Sequence, residues 1–214
     1  MKNNKIMRQL KNITILFLIC ISNLQFTEAS SYIDTSKNLT YTITKNNKTI
    51  GEIHIIRSTN NDVTKYFFES NAKANLLFFN IKFYDRMSVT FNKNILQEAK
   101  LYRTTNNKVK VNNLTTWNGN FYSFFDKNGQ NGFINNPILL TTACLYFFEP
   151  VNVDSIFSEK FQRMIPIKNA GNKRYVMSLP DGNKTTYSYL NGICSLVEAE
   201  TDWSVLKFTL KTNS

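Results

Sequence analysis

Hydrophobic and polar residues alternate with a period of two along Leu77–Phe91. Because successive side chains of a strand point to opposite faces, this pattern predicts a strand with one buried and one solvated face. Asp85 interrupts the apolar series. A strand of this length must twist, bend or carry a bulge, and we expect the bend at Asp85.

Strand-like segments separated by short turns fill most of the remaining chain. Asparagine marks many of these turns, where its tolerance of left-handed backbone angles is useful. Tight turns join antiparallel neighbours, and the alternation of strands and helices that accompanies a parallel sheet is missing. The sequence therefore predicts an all-β fold with one or two short helices. Its centre is a strongly curved antiparallel sheet of about eleven strands, forming a half-barrel or open barrel.

One segment, Ile138–Phe148, is almost wholly apolar and lies between Asn136-Pro137 and Pro150. Asparagine is a favourable N-cap and proline fits the first helical position, so we predict a short helix, although its threonines and phenylalanines also suit a strand. A helix without a polar face must be covered, which places it on the concave side of the sheet. It either fills the concavity or leaves room for an apolar ligand. The candidate ligand-lining residues are Phe79, Ile81, Phe83, Leu139, Leu140 and Phe147.

Residues 1–29 have the organisation of a secretory signal peptide. A basic opening precedes the apolar run Ile13–Leu24, and Thr27-Glu28-Ala29 offers small residues for cleavage. The run is about a dozen residues long, whereas a membrane-spanning helix needs about 20. We expect cleavage after Ala29 and export to the periplasm or beyond. Residues 30–214 would then form a single domain with no transmembrane span.

The chain carries a formal net charge of +11. Residues 30–214 retain 22 bases and 14 acids, a net charge of +8. These bases are scattered singly along the predicted strands, which is typical of a solvated face, and an attraction to anionic envelope lipids is the alternative. We expect no nucleic-acid partner for an exported protein with this distribution.

Candidate catalytic and metal-binding residues are few. His54 is the single histidine, and with Cys144 and Cys194 it supplies too few ligands for zinc. Glu198 and Glu200 share a strand face, an arrangement that fits paired catalytic acids but also an ordinary solvated face. We therefore expect a non-enzymatic protein without metal or cofactor. An oxidising compartment would allow a disulfide between Cys144 and Cys194, and two buried free thiols are the alternative.

Two stretches carry a resemblance to a known family. The first is Tyr41–Gly51, and the second, Tyr175–Val197, contains Leu179-Pro180-Asp181-Gly182 and Asn191-Gly192. Together they resemble exported domain-of-unknown-function proteins of Bacteroidota. The resemblance implies a secreted or periplasmic antiparallel β domain and no activity. More remotely, the expected curved sheet with a helix is similar to the half-barrel of periplasmic lipoprotein carriers.

The sequence supports two hypotheses for the function. The first is a binding protein that holds an acyl chain, a lipid or another apolar small molecule in its curved sheet. The second is a structural or interaction protein of the cell envelope, with a filled core, no small-molecule site and a protein partner.

Overall fold

A computed structural model of the chain describes residues 35–76, 79–202 and 204–212. The described residues contain fourteen strands and one turn of 3₁₀ helix, Cys144–Tyr146. The expected signal peptide, residues 1–29, lies outside them. The strands are β1 Thr35–Lys45, β2 Lys48–Asn60, β3 Val63–Leu76, β4 Phe79–Asn92, β5 Ile95–Thr105, β6 Lys108–Trp117, β7 Tyr122–Asp126, β8 Gly129–Ile134, β9 Ser155–Ser158, β10 Arg163–Asn169, β11 Arg174–Ser178, β12 Lys184–Leu190, β13 Ile193–Thr201 and β14 Ser204–Leu210.

All fourteen strands belong to one antiparallel sheet, which confirms the predicted all-β class. Strands β1 to β8 pair in chain order, and so do β9 to β14. The pairing of β1 with β14 joins these two meanders, with Ile43 opposite Phe208. Strands β8 and β9 therefore lie at the two edges of an open sheet.

The sheet curls round a common interior. Phe83 on β4 and Tyr187 on β12 line the same cavity, although five strands separate β4 from β12 in the sheet. Strands β2 and β3 approach each other closely at Gly51 on β2, where a Cβ atom would overlap the Asn71 carbonyl oxygen of β3. The register of β1 and β2 shifts beside this glycine, between Ile43 and Thr44.

The predicted strand around Asp85 is β4, and it carries no bulge at Asp85. Strand β4 pairs without interruption on both sides of Asp85, with Ser70 of β3 and Arg103 of β5. The register instead shifts between Thr90 and Phe91. Asp85 lies on the inner face of the sheet with the apolar residues of β4. Its charge is tolerated there because Arg103 forms an ion pair with it. Leu77 and Phe78, the start of the predicted strand, lie outside the described residues.

The expected count of about eleven strands is too low for two local reasons. The sequence of β8, Gly129–Ile134, is rich in glycine and polar residues, so it has no strand pattern. The apolar residues of Ile156–Ile167 are spaced as in a single strand, but the segment folds back into β9 and β10. The turn between them includes Gln162, which has a positive φ of 50°.

The predicted apolar helix Ile138–Phe148 is also wrong, apart from the single 3₁₀ turn at Cys144–Tyr146. Its first half bonds to neighbouring strands instead of to itself. Leu96 N donates to Ile138 O at 2.9 Å, and Phe157 N donates to Leu140 O at 3.1 Å. These cross-strand bonds satisfy backbone groups that a helix would have paired internally. We call the segment Ile138–Phe148 the plug.

The interpretation of asparagine as a turn residue is confirmed. In the described part of the chain, nine of the twelve non-glycine residues with positive φ are asparagines. They include Asn46 and Asn47 in the β1–β2 turn and Asn106 and Asn107 in the β5–β6 turn. Within the described residues, no helix is long and apolar enough to cross a bilayer.

The plug joins two hydrophobic clusters inside the sheet. Phe147 and Cys144 belong to the cluster that faces β1 to β5, while Leu145 belongs to the cluster built by β9 to β13. Tyr146 packs against both clusters. The plug therefore lies inside the sheet, on the concave side that the sequence predicted for it, but as irregular chain with a single 3₁₀ turn.

Candidate ligand cavity

A cavity of about 450 Å³ occupies the part of the interior that the plug leaves open. Lys45, Thr201 and Ser204 line it at the ends of their strands, which places its mouth beside the β1–β2 and β13–β14 turns. The plug begins at the opposite end, where Ile138 bonds to Leu96 near the β4–β5 turn. The volume lies within the range of small-molecule sites, about 300–1,000 Å³.

Apolar side chains form most of the wall near the mouth. They project from both halves of the sheet and leave space because several of them are small. The wall residues that matter below are Ala72, Ala74, Ile81, Phe83, Ala199 and Leu206.

A polar row crosses the inner face deeper in the cavity. Ser70, Asp85 and Arg103 are direct neighbours on β3, β4 and β5, and all three line the cavity. Arg103 Nε donates to one Asp85 oxygen at 2.8 Å, and Nη2 donates to the other at 2.6 Å. This two-point geometry fixes the plane of the guanidinium.

The Arg103 guanidinium keeps its charge although only about one-third of its side chain is exposed. Burial works against the charge on Arg103, but the opposite charge of Asp85 and its hydrogen bonds outweigh that effect and raise the pKa of the guanidinium. The cavity therefore has a cationic group in its wall, held next to the carboxyl group of Asp85.

Two tyrosines also line the cavity. Tyr146 comes from the plug and Tyr187 from β12, and their ring centroids lie 6.4 Å apart at 89°. Burial raises the pKa of both phenols, so both remain protonated. Neither hydroxyl makes a hydrogen bond with any residue that the structure describes.

Other inner tyrosines have hydroxyls that hold the plug or the strands. Tyr122 OH donates to Leu96 O at 2.9 Å and accepts from Ile138 N at 3.1 Å. Tyr189 OH donates to Leu145 O at 2.8 Å. The free hydroxyls of Tyr146 and Tyr187 are thus distinct from these structural ones.

Glu159, in the turn after β9, forms hydrogen bonds with the centre of the plug. Its carboxyl group is buried and accepts hydrogen bonds from Thr142 Oγ1 and from Ala143 N at 3.2 Å. Burial raises the pKa of this carboxyl group, and the hydrogen bonds from Thr142 and Ala143 only partly oppose the effect.

The structure separates the residues that the sequence proposed as ligand-lining. Ile81 and Phe83 line the cavity. Leu139 is exposed, Leu140 packs between the two clusters, and Phe147 is buried against Tyr66 at a centroid distance of 5.7 Å. The side chain of Phe79 lies outside the described part of the structure.

The possible disulfide is not formed, because both Cys144 and Cys194 are buried free thiols. They belong to different hydrophobic clusters. The Cys144 Sγ atom lies 3.9 Å from Thr141 Oγ1, while the Cys194 thiol donates to Leu196 O at 3.5 Å. Packing of each thiol into its own cluster replaces the covalent link.

The candidate catalytic residues do not converge. His54 lies on the outer face of β2, where 62% of its side chain is exposed, 3.9 Å from Glu52. Glu198 forms ion pairs with Lys207 at 3.0 Å and Arg174 at 3.7 Å. Glu200 accepts a hydrogen bond from Lys184 N at 2.9 Å near the cavity mouth. Among the described residues, no group of three His, Cys, Asp or Glu side chains is placed to hold a metal.

Among the polar residues of the cavity, the sequence analysis did not identify Asp85 as a lining group, Arg103 or Tyr187, and it did not single out Tyr146 within the apolar segment that it proposed as lining. Asp85 did carry a signal, since a lone acid in an apolar series needs a partner inside the fold. The register that supplies Arg103 as this partner depends on long-range pairing and is not visible in the sequence.

Fold and site together define an all-β protein with a curled sheet and an internal cavity open at one end. The chain belongs to the family described as "Domain of unknown function (DUF6134)", whose model matches residues 41–211. Among solved structures, it is similar to the crystal structure of a β-barrel-like protein of domain of unknown function DUF1849 from Brucella abortus. That match has a TM-score of 0.56 at 8% identity and covers 85% of this chain and 97% of the other. No curated protein matches the chain.

Tyr189 OH forms a hydrogen bond with the plug, whereas Tyr187 OH bonds to no described residue. Removing these two hydroxyls should therefore change the free energy of unfolding by different amounts. Tyr189→Phe leaves the buried Leu145 carbonyl without its donor and should lower the free energy of unfolding by about 1–3 kcal/mol. Tyr187→Phe breaks no hydrogen bond in the protein and should change it by less than about 0.5 kcal/mol. Urea unfolding of both variants measures the difference, and equal losses would contradict the assignment of the hydroxyls.

Glu159 predicts a pH dependence of stability. Its pKa in the folded protein lies above its ordinary value of 4.5, so above that pH the unfolded chain ionises first and is stabilised. Wild type should therefore lose stability relative to Glu159→Gln as pH rises from about 4 to about 7. Thermal unfolding at both pH values tests this, with Glu98→Gln as the matched surface control. A gap between wild type and Glu159→Gln that stays constant, or moves in the opposite direction, would contradict it.

Proposed function

We propose that the protein is an exported, non-enzymatic binding protein that holds an apolar small molecule, such as an acyl chain or lipid, in its internal cavity. The carrying observation is the cavity of about 450 Å³, with apolar walls and an open mouth, in an otherwise packed interior. Burial of apolar ligand surface contributes about 25 cal/mol per Å², so such a space favours an apolar occupant.

The position of the plug supports this proposal. The plug fills the end of the interior near Leu96, and its residue Tyr146 forms part of the cavity wall. The wall beyond this point includes Ala72, Ala74 and Ala199, whose small side chains keep the space open. The similarity to lipoprotein carriers that the sequence suggested belongs to this proposal as an architectural analogy.

We also propose that the protein is not an enzyme. His54 lies on the outer face and Glu198 is held between two bases, so neither is aimed at the cavity. The polar groups deep in the cavity include Arg103, which is paired with Asp85, and two protonated phenols, which suit hydrogen bonding to a ligand. Of the other charged lining residues, Lys160 is paired with Asp181 and Glu200 accepts a hydrogen bond from Lys184 N.

Filling the cavity should abolish ligand binding. Ala199 lies on its wall between Thr185 and Leu206, and Ala199→Phe would occupy the space. The matched control, Ala170→Phe, adds the same ring at an exposed loop position. Native mass spectrometry of protein purified without detergent should find a lipid-sized added mass on wild type and on the control, and none on Ala199→Phe.

Two results of that experiment would contradict the proposal. One is a single bare-chain mass for wild type, and the other is an adduct that persists in Ala199→Phe. A protein-sized adduct would instead favour an interaction protein of the envelope. That second candidate is supported by the exposed aromatic residues of β7, β8 and the loop before them, where Phe121 and Phe133 lie 6.2 Å apart and Phe133 is 67% exposed.

Export rests on the basic, apolar and small-residue organisation of residues 1–29. We expect protein recovered from the cell that produces it to begin at Ser30. Mass spectrometry of its N-terminal peptide checks this, and an intact Met1 or a start within the apolar run Ile13–Leu24 would contradict it.

A further inference from the structure

Along the β3–β4 wall of the cavity, apolar residues lie toward the mouth and the polar row lies deeper. Along β3, Ala72 and Ala74 follow Ser70 toward the mouth, and along β4, Ile81 and Phe83 stand on the mouth side of Asp85. A molecule that passes the polar rim of the mouth therefore runs along this apolar wall before it reaches the Asp85–Arg103 pair. An amphiphile would bind with its polar head inward and its chain toward the mouth.

We propose that the ligand is an amphiphile with a carboxylate head group, and that Arg103 is its anchor. This inference rests on the proposed function, because it names the class of ligand that the cavity holds. The guanidinium has five N–H groups. Among the described residues, Arg103 donates hydrogen bonds only to Asp85, through Nε and Nη2. The remaining N–H groups can bind a second carboxylate, for which the planar fork is suited.

Tyr146 and Tyr187 supply further donors. Their hydroxyls bond to no described residue, and Tyr146 lines the same cavity as Arg103. Tyr187 packs against Tyr146 at the same level of the cavity. A polar group that is left without a partner in a largely buried site is costly, so a ligand oxygen that accepts from these hydroxyls gains free energy.

Asp85 acts on the ligand through Arg103 and is a positioning residue with two opposed effects. Its two oxygens hold the guanidinium in a fixed plane on the inner face. Its negative charge also repels an incoming carboxylate and occupies two of the N–H groups. The two members of one ion pair should therefore have opposite effects on the binding of an anionic head group, whereas a purely structural ion pair would give the same effect from either side.

The test compares dodecanoate with its neutral methyl ester by isothermal titration calorimetry, below the concentration at which dodecanoate forms micelles. Wild type should bind the acid more tightly than the ester. Arg103→Gln should weaken dodecanoate binding by about tenfold or more, and Asp85→Asn should strengthen it by about threefold or more. The double variant Asp85→Asn with Arg103→Gln should bind acid and ester equally, and circular dichroism checks that each variant is folded.

The outcomes separate this inference from the proposed function. If wild type binds neither dodecanoate nor its ester, the proposed function fails. If wild type binds both equally, or if Asp85→Asn weakens binding as Arg103→Gln does, the cavity is an apolar site and the head-group assignment is overturned. A double variant that keeps the preference for the acid would also overturn it.

Discussion

The structure depends on how the plug is held inside the curled sheet. A fourteen-stranded sheet that curls without closing has a large interior to fill, and the plug fills one end of it. Tyr146 is the centre of this packing, with ring centroids 5.3 Å from Tyr41, 5.2 Å from Phe68 and 6.4 Å from Tyr187. Since these rings come from β1, β3 and β12, one plug residue connects both halves of the sheet.

Hydrogen bonds fix the position of the plug inside the sheet. The plug in turn limits the space that is left for the cavity. Tyr122 holds its beginning at Ile138, Glu159 holds Ala143, and Tyr189 holds Leu145. Each bond satisfies a backbone group that would otherwise be buried without a partner. The carboxyl group of Glu159 is costly to bury, and its hydrogen bonds to Thr142 and Ala143 offset part of that cost.

The sequence predicted the class of the fold because strand periodicity and turn chemistry are local. The alternation along β4 and the asparagines at the hairpin turns needed no knowledge of distant residues. The errors arose where long-range bonds prevail over local preference. Ile138–Phe148 has good helix-start signals, yet its carbonyls accept from Leu96 and Phe157, residues about 40 and 20 positions away in the chain. Asp85 was likewise not recognised as a lining residue, because its partner Arg103 is supplied by the neighbouring strand.

The cavity is lined by residues that only the pairing of distant strands brings together. For this reason the sequence analysis named only two of its lining residues, Ile81 and Phe83. Alternation placed Ile81 and Phe83 on the inner face, but it treated Asp85 as a defect in the pattern. In the folded chain this defect, with Ser70 and Arg103 beside it, is a polar row on the inner face next to apolar neighbours. A fold shared at 8% identity fixes only the curled sheet. For the ligand proposed above, the inward-facing polar residues of this chain are therefore the ones that would select the head group, because apolar walls select only for size.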